Sequence, residues 1–253
     1  MGKVIAFANQ KGGVGKTTTS VNLGACLAEL GKRLLIVDLD PQGHVSSGLG
    51  IEKSKISRCM YDVIISGLPL REIIVPTAFA NLWVAPSTID LAGAELELVP
   101  AISRETRLRD ALADYRDDYD FLFVDCPPSL GLLTVNALTA ADAILVPIQC
   151  EYYALEGLSQ LMNTIHLVRT HLNPDLQLEG VLLTMYDSRT NLSAEVEGEV
   201  KKYFREKVYE TIIPRTVRLS EAPSHGLPII AYDPKSKGAE VYMALAREVS
   251  DRA

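Results

Sequence analysis

A glycine-rich segment with two lysines and two threonines follows the first apolar stretch of the chain. It reads Lys11-Gly12-Gly13-Val14-Gly15-Lys16-Thr17-Thr18. Glycine inside a regular element costs roughly 0.5–1 kcal/mol relative to alanine, so packing does not explain three glycines in four positions. Their backbone N–H groups can surround an anion, while Lys16 can bind β- and γ-phosphates and the Thr17 hydroxyl can bind Mg²⁺. The segment predicts a nucleotide-phosphate site with an additional lysine, Lys11, at its mouth.

Two common phosphate-binding patterns do not fit this segment strictly. The pattern G-x-x-x-x-G-K-[ST] would need glycine at Gln10, and the dinucleotide pattern G-x-G-x-x-G fails at Thr18. The order of strand, glycine loop, Lys-Thr pair and helix still favours a phosphate loop. A helix that begins near Lys16 would direct the positive end of its dipole at the phosphates.

Carboxylates follow two of the apolar runs. Asp38 and Asp40 follow one run, and Asp125 follows another. Ligands of open α/β sheets bind at the carboxyl ends of the strands, so both Asp38 and Asp40 could lie near Mg²⁺ and the γ-phosphate. Asp125 has the form of a Walker B carboxylate, which reaches Mg²⁺ through water. We predict Thr17, Asp38 and Asp125 as metal-site residues, and a turn or helix-cap role is the alternative for Asp38.

Short apolar runs alternate with helical patterns along the whole chain. Most of the runs are continuously apolar, which is typical of strands buried on both faces. The predicted strands are Val4–Ala8, Leu34–Val37, Leu82–Ala85, Phe121–Val124, Ile144–Pro147, Val181–Thr184 and Val208–Ile213. The predicted helices are Thr17–Leu30, Arg104–Tyr115, Glu156–Leu172, Glu195–Lys207 and Ala239–Ser250. This alternation predicts one α/β domain of the P-loop NTPase type over residues 1–253, with a mostly parallel, twisted sheet and helices on both faces.

Composition and charge narrow the classes of function. The chain is 47% hydrophobic and 23% charged with a net charge of −7, as in ordinary globular proteins. Residues 188–253 hold 11 basic and 10 acidic residues, whereas the rest holds 14 and 22, so a nucleic-acid surface is expected only locally. The four cysteines lack C-x-x-C spacing and favour reduced, buried thiols. With no signal-like start and no apolar run of about 20 residues, we predict a cytoplasmic location without membrane contact.

The early lysine gives the loop a specific resemblance. Residues 11–18 resemble the deviant Walker A motif of the ParA/MinD ATPases, and further segments resemble its chromosomal ParA branch over essentially the whole chain. Those segments are Asp38–Gly43, Ala92–Glu95, Asp125–Pro128, Gln149–Gly157 and Val217–Gly226. His44 and Thr216 depart from the family pattern.

The resemblance implies an ATPase whose cofactors are ATP, its product ADP, and Mg²⁺. It implies that Lys11 reaches the nucleotide of a second subunit, so that ATP binding forms a homodimer. It assigns Asp40 to positioning or activating the attacking water, which makes Lys11, Lys16 and Asp40 the predicted catalytic residues. Pro214 and Arg215 resemble the segment that contacts the adenine.

The resemblance also implies partners. The ATP-bound dimer would bind double-stranded DNA without sequence preference, and a ParB-type protein would stimulate hydrolysis and release. Arg189 and Arg218 are the predicted DNA-binding residues, because cations that contact phosphates carry no sequence information. The implied role is chromosome or plasmid segregation on the nucleoid, with further roles in sporulation and in replication-initiation control through a replication initiator.

Three other functions remain as alternatives. A MinD-like membrane-cycling ATPase needs a basic amphipathic C-terminal helix, but in residues 239–253 two arginines are matched by three acidic residues. A nitrogenase-reductase-like or amide-forming enzyme could use the same scaffold, and the redox version needs two cysteines per subunit at a shared cluster. A nucleotide-gated scaffold without turnover is the third alternative.

Overall fold

Seven strands form one sheet in the residues that the computed structural model describes, which are 1–151 and 156–252. They are β1 (Lys3–Phe7), β2 (Leu34–Asp38), β3 (Val75–Pro76), β4 (Leu82–Ala85), β5 (Phe121–Asp125), β6 (Ala143–Gln149) and β7 (Gln177–Thr184). Their order across the sheet is β3-β4-β2-β5-β1-β6-β7. All pairs are parallel except β3 with β4 at one edge. The predicted fold class is confirmed.

Helices connect the strands. They are α1 (Lys16–Glu29), α2 (His44–Gly48), α3 (Met60–Ser66), α4 (Leu91–Glu97), α5 (Arg107–Leu112), α6 (Leu132–Ala140), α7 (Glu156–His171), α8 (Asn191–Phe204), α9 (Val217–Glu221), α10 (Ile229–Tyr232) and α11 (Lys237–Arg252). Short 3₁₀ turns lie at Lys53–Lys55, Leu70–Glu72, Ala113–Tyr115, Arg205–Lys207 and Ala222–His225.

Two apolar cores cover the two faces of the sheet. Successive residues of β1 illustrate this, since Val4 and Ala6 enter one core while Ile5 and Phe7 enter the other. The first core takes in α3 to α8, and the second takes in α1, α2 and α9 to α11. Burial on both faces explains why the parallel strands are continuously apolar.

The strand register brings the predicted site residues to one edge of the sheet. In β5, Asp125 pairs with Phe7 of β1 on one side and with Asp38 of β2 on the other. The glycine loop leaves β1 at this same end. The carboxyl ends of the three central strands therefore carry the glycine loop and two carboxylates.

The prediction of a strand over Val208–Ile213 is wrong. Only one isolated bridge forms in this described segment, at Val208, and a second lies just after it, at Pro214. The backbone N–H groups of Glu210 and Thr211 donate instead to the Glu248 carboxylate of α11, at 2.8 and 3.1 Å. A side chain from α11 thus interrupts the ladder that the apolar sequence would otherwise form.

Other boundaries differ from the predictions in smaller ways. The edge strand β3 was not predicted, because two residues that include Pro76 give no periodic signal. Helix α5 begins at Arg107 rather than Arg104, and its predicted last turn is 3₁₀. Helix α8 begins at Asn191, where the Thr190 hydroxyl accepts a hydrogen bond from the Ser193 N–H.

Candidate nucleotide site

The glycine loop bends sharply between β1 and α1. Gly13 and Gly15 have φ values of 75° and 91°, in the left-handed region that side chains with a Cβ disfavour. The Thr184 hydroxyl of β7 donates to the Val14 carbonyl at 2.8 Å and fixes the loop to the sheet. The N–H groups at the start of α1 therefore face the cavity above the strand ends.

The Asn9 side chain stabilises the first turn of the glycine loop with two hydrogen bonds. Its side-chain oxygen accepts the Lys11 N–H at 3.0 Å, and its amide nitrogen donates to the Pro147 carbonyl at 2.8 Å. The sequence analysis did not single out Asn9, although an asparagine two residues before a turn N–H is the signal of an Asx turn.

The Lys16 ammonium is buried and hydrogen-bonded to two backbone carbonyls, in a position suited to binding an anion. It donates to the carbonyls of Asn9 at 3.0 Å and Lys11 at 3.3 Å. The residue is only 6% exposed, and burial lowers its pKa although Asp125 acts to raise it. A phosphate at this position would supply the counter-charge that the two carbonyls only partly replace.

Asp125 lies fully buried beneath the loop. Thr17 donates its hydroxyl hydrogen to Oδ2 at 2.6 Å, and Ser20 donates to Oδ1 at 3.2 Å. Burial raises the pKa of Asp125 to about 7, although Thr17 and Lys16 lower it. Ser20 was missed at the sequence level, although its position three residues after Thr17 puts both hydroxyls on one face of α1.

The donor set around Asp125 fits Mg²⁺. A hydroxyl and a carboxylate oxygen are hard ligands, and a buried carboxylate with a raised pKa gains from a nearby cation. Among the residues described, no three His, Cys, Asp or Glu side chains cluster as a metal site by themselves. Mg²⁺ commonly combines one or two carboxylates with substrate phosphates and water, so Thr17 and Asp125 are suited to holding it together with a nucleotide.

Asp38 and Asp40 have different environments. Asp38 is fully buried, and its carboxylate accepts N–H groups from Val45 and Ser46 at 3.2 and 3.4 Å at the start of α2. Burial and the Asp125 charge raise the pKa of Asp38 well above its usual range. These bonds make Asp38 a cap for α2, and its role as a metal-site residue stays a prediction. Asp40 lines the main cavity and accepts the Gln42 N–H at 2.9 Å.

Two neighbouring cavities share the glycine loop. The larger, of about 580 Å³, is lined by Gly12, Lys16, Thr17 and Asp40 among others. A second, of about 320 Å³, contains both Gly15 and Thr18 from the loop and the predicted adenine-contact residues Pro214 and Arg215. The structure therefore brings all these predicted nucleotide-binding residues to one region, although their roles stay predictions.

Glu151 joins the extra lysine to the predicted adenine segment. The Lys11 ammonium lies 3.9 Å from Glu151 Oε2, and Arg215 donates to Glu151 Oε1 at 2.7 Å. The Lys11 side chain is 34% exposed. Glu151 belongs to the motif at 149–157, of which residues 152–155 lie outside the part that the structure describes.

The two predicted DNA-binding arginines lie in segments that are joined by an isolated bridge beyond β7. Arg189 follows β7 and Arg218 lies in α9, and the Tyr186–Pro214 bridge joins the chain segments that lead into them. Arg189 pairs with Asp187 at 2.7 Å, and Arg218 pairs with Glu221 at 3.0 Å. A nucleic-acid phosphate would have to replace these carboxylates.

A glycine loop that leads from a central parallel strand into a helix, with Lys16, Thr17 and Asp125 converging, defines a P-loop nucleotide-binding protein. A family model described as an AAA domain matches residues 2–178. The chain is 66% identical over 250 residues to sporulation initiation inhibitor protein Soj of Bacillus subtilis, covering 99% of each chain. It is 57% identical to the chromosome partitioning protein ParA of Myxococcus xanthus, covering 100% of this chain and 89% of the other. The chain therefore belongs to the ParA family of chromosome-partitioning ATPases.

A solved relative carries a nucleotide. The crystal structure of cobyrinic acid a,c-diamide synthase from Mycobacterium smegmatis, with bound ATP analogue and magnesium, matches with a TM-score of 0.86 and 42% identity. The match covers 98% of this chain and 93% of that one. In the described part of the present chain, no helix has the length and apolar character required to cross a membrane.

Proposed function

We propose that the chain is an ATP-dependent switch for chromosome segregation. In this proposal ATP and Mg²⁺ bind at the glycine loop, two chains close over two nucleotides, and the dimer binds duplex DNA without sequence preference. A ParB-type protein then stimulates hydrolysis to ADP and phosphate, and the dimer separates and leaves the DNA. The extent of the identity to Soj and ParA proteins supports this cycle over other uses of the fold.

One observation carries the proposal. Lys16 and Asp125 are buried, whereas the Lys11 side chain is partly exposed and contacts Glu151. Lys16 can bind phosphates of its own nucleotide, but Lys11 is free to turn outward once it leaves Glu151. A second cation that arrives only on association makes charge neutralisation depend on the dimer.

The lining of the main cavity supports slow hydrolysis by a single chain. Among its described lining residues, Lys16 is the only lysine or arginine. Mg²⁺, when bound, neutralises charge on the β- and γ-phosphate oxygens. Asp40 faces the same cavity and can orient a water through its free carboxylate oxygen. We expect turnover of the chain alone to stay below about 1 s⁻¹, the lower end for kinases.

Duplex DNA is proposed to bind through Arg189 and Arg218. Both side chains are more than half exposed, at 85% and 56%. Arg189 pairs with Asp187, and Arg218 pairs with both Glu221 and Asp233. Because both arginines are exposed to solvent, each pair contributes 0 to about 1 kcal/mol. Exchange of these carboxylates for DNA phosphates is therefore energetically accessible and would depend strongly on salt.

The membrane-cycling alternative is disfavoured by the last helix. In α11, Val241, Leu245 and Val249 pack into the core and cannot also enter a lipid interface. Lys237 and Arg252 pair with acidic residues of the same helix. Liposome sedimentation with ATP tests this alternative, and nucleotide-dependent lipid binding without DNA binding would support it.

The redox-enzyme alternative is disfavoured by the cysteines. Cys26, Cys59, Cys126 and Cys150 are all buried. A cluster shared between subunits needs cysteines at a surface, and a thiol nucleophile needs exposure and a lowered pKa. Burial instead raises the pKa of Cys26 and Cys150 to about 12.

The decisive test uses Asp40→Ala. This variant should bind ATP, form a dimer and remain on DNA, because the step that ends the bound state is blocked. Light scattering after size exclusion, with ATP or ADP, measures the dimer, and a mobility shift on unrelated duplexes measures DNA binding. The exposed Asp118→Ala is the matched control and should cycle normally. An Asp40→Ala chain that stays monomeric with ATP would refute the proposal.

A further inference from the structure

Helix α4 and the turns that flank it carry an exposed apolar stripe. It consists of Ile89, Leu96, Val99 and Ile102, which are 65%, 78%, 56% and 88% exposed. The helical turns around α4 place Ile89, Leu96 and Val99 along one side, because positions separated by seven and three residues share a helix face. Single exposed apolar residues are ordinary, but four within 14 residues mark an interaction surface.

The opposite side of α4 packs against the core and holds the helix in place. Leu91, Ala94 and Leu98 are fully buried in the core. The apolar stripe is therefore not needed to hold the helix in place.

Acidic residues predominate around the stripe. Residues 86–103 contain Asp90, Glu95 and Glu97 and no lysine or arginine. The neighbouring cations are already paired, since Arg58 contacts Glu72 and Arg104 contacts Glu105.

An acidic depression adjoins the stripe. It has a volume of about 320 Å³, and its charged lining residues are Asp62, Asp90, Glu97 and Arg58. Arg58 is already paired with Glu72, so the three carboxylates dominate the depression. Tyr61 donates its hydroxyl hydrogen to Glu97 at 2.9 Å and keeps that carboxylate at the depression. A lysine or arginine side chain placed here would meet three carboxylates.

We propose that the apolar stripe and the acidic depression dock a cationic amphipathic helix of a partner protein. Its apolar face covers the stripe, and its lysine or arginine side chains enter the depression. A membrane is a poor occupant because anionic lipids would be repelled by the carboxylates. A second copy using the same surface is also a poor occupant, because a two-fold contact would oppose like charges.

Helix α4 also touches the segment that follows Asp125. A Cβ added to Gly131, at the start of α6, would lie 2.1 Å from Glu95 Oε1, so the two residues are in direct contact. That carboxylate oxygen is buried and has no hydrogen-bond partner among the described residues. The end of the stripe is tied to α6 as well, because Asn136 donates to the Arg104 carbonyl at 2.7 Å. A helix docked on α4 can therefore shift residues 126–131, next to the nucleotide.

This coupling rests on the proposed function, because it assigns the docked helix to the protein that stimulates hydrolysis.

The docking surface is tested first by itself. The double variant Ile89→Ser/Leu96→Ser is compared with Leu167→Ser/Tyr203→Ser, which changes exposed apolar residues on α7 and α8. The probe is a fluorescein-labelled leucine–lysine helix of roughly 18 residues, or five turns, followed by anisotropy. We expect about tenfold weaker binding to the first variant, or about 1.4 kcal/mol, and unchanged binding to the second. Equal binding to both variants would overturn the proposal.

The coupling is tested with a ParB-type protein. The Ile89→Ser/Leu96→Ser variant should lose stimulated hydrolysis while its unstimulated hydrolysis and ATP-dependent dimerisation match those of the unmodified chain. Glu95→Ala should bind the peptide normally but lose most of the stimulation. Stimulation that survives in the double variant would overturn the docking site, and normal stimulation of Glu95→Ala would overturn the coupling. If the ParB-type protein does not stimulate hydrolysis by the unmodified chain, the proposed function is refuted. The peptide-binding measurement still tests the docking surface in that case.

Discussion

Lys11 and Glu151 face each other within a single chain, with Nζ and Oε2 3.9 Å apart. The same carboxylate accepts a hydrogen bond from Arg215, so one side chain restrains both the extra lysine and the predicted adenine segment. For Lys11 to reach the nucleotide of a second subunit, this contact has to open.

Replacement of Glu151 by glutamine should therefore strengthen ATP-dependent dimerisation. The gain should be no more than about fivefold, because partly exposed pairs contribute 0 to 1 kcal/mol. Sedimentation equilibrium with a non-hydrolysable ATP analogue measures it, and Glu52→Gln, which removes the exposed pair with Lys55, is the control. Weaker dimerisation of Glu151→Gln would mean that the carboxylate belongs to the interface itself.

The affinity for Mg²⁺ with nucleotide should fall as the pH is lowered through about 7, where burial places the pKa of Asp125. A proton and the cation compete for this carboxylate, so binding at pH 6 should be about tenfold weaker than at pH 8. Calorimetric titration of the unmodified chain and of Asp125→Asn separates this proton from those of the nucleotide. Identical pH dependence of the two chains would rule out Asp125 as the competing group.

The Asp125 carboxyl group should make the nucleotide-free chain less stable as the pH rises. The folded state keeps the Asp125 proton up to about pH 7, whereas the unfolded state releases it near 3.8. The free energy of unfolding should therefore decrease between these pH values, with a smaller slope in Asp125→Asn. Urea unfolding in EDTA measures both slopes. The raised pKa of Asp38 acts in the same direction and remains in the variant.

Arg218→Ala should weaken binding to all duplexes alike and leave ATP-dependent dimerisation unchanged. Loss of one phosphate contact should reduce the slope of log affinity against log salt by about one. Fluorescence anisotropy on two unrelated duplexes across a salt series measures this, with Lys55→Ala as an exposed control. Loss of dimerisation together with DNA binding would assign Arg218 to the subunit interface.

The four cysteines should resist alkylation in the folded chain. Burial raises the pKa of Cys26 and Cys150 to about 12 and raises that of Cys126 as well, so thiolate is scarce at pH 8. Mass spectrometry after iodoacetamide should find little modification until the chain is unfolded in urea. Rapid labelling of Cys126 would revive the shared-cluster alternative.

Much of the nucleotide site could be predicted from local sequence. The loop at 11–18 and the carboxylates at 38, 40 and 125 are each close to the end of an apolar strand, and a parallel sheet brings such ends together. The contacts of Asp38 with Val45 and Ser46 could not be predicted, because they depend on how α2 approaches the strand.

Long-range contacts account for what local sequence did not reveal. Glu151 lies 64 residues from Arg215, and no local sequence pattern predicts the ion pair between them. The wrong prediction of a strand at Val208–Ile213 has the same cause. The apolar residues of this segment suit a strand, but Glu248 accepts hydrogen bonds from two of its backbone N–H groups. Tertiary hydrogen bonds here outweigh local propensity.

The interrupted segment beside β7 has a consequence for self-association. Tyr209 and Ile213 donate their N–H groups to the Val181 and Leu183 carbonyls, both at 2.9 Å, and Tyr209 is fully buried. At the opposite margin, β3 is two residues long and contains proline. Both margins thus resist addition of a foreign strand, which guards against edge-to-edge polymerisation. Copies of the chain at high local concentration are therefore protected from strand-by-strand fibre growth by their own sheet margins.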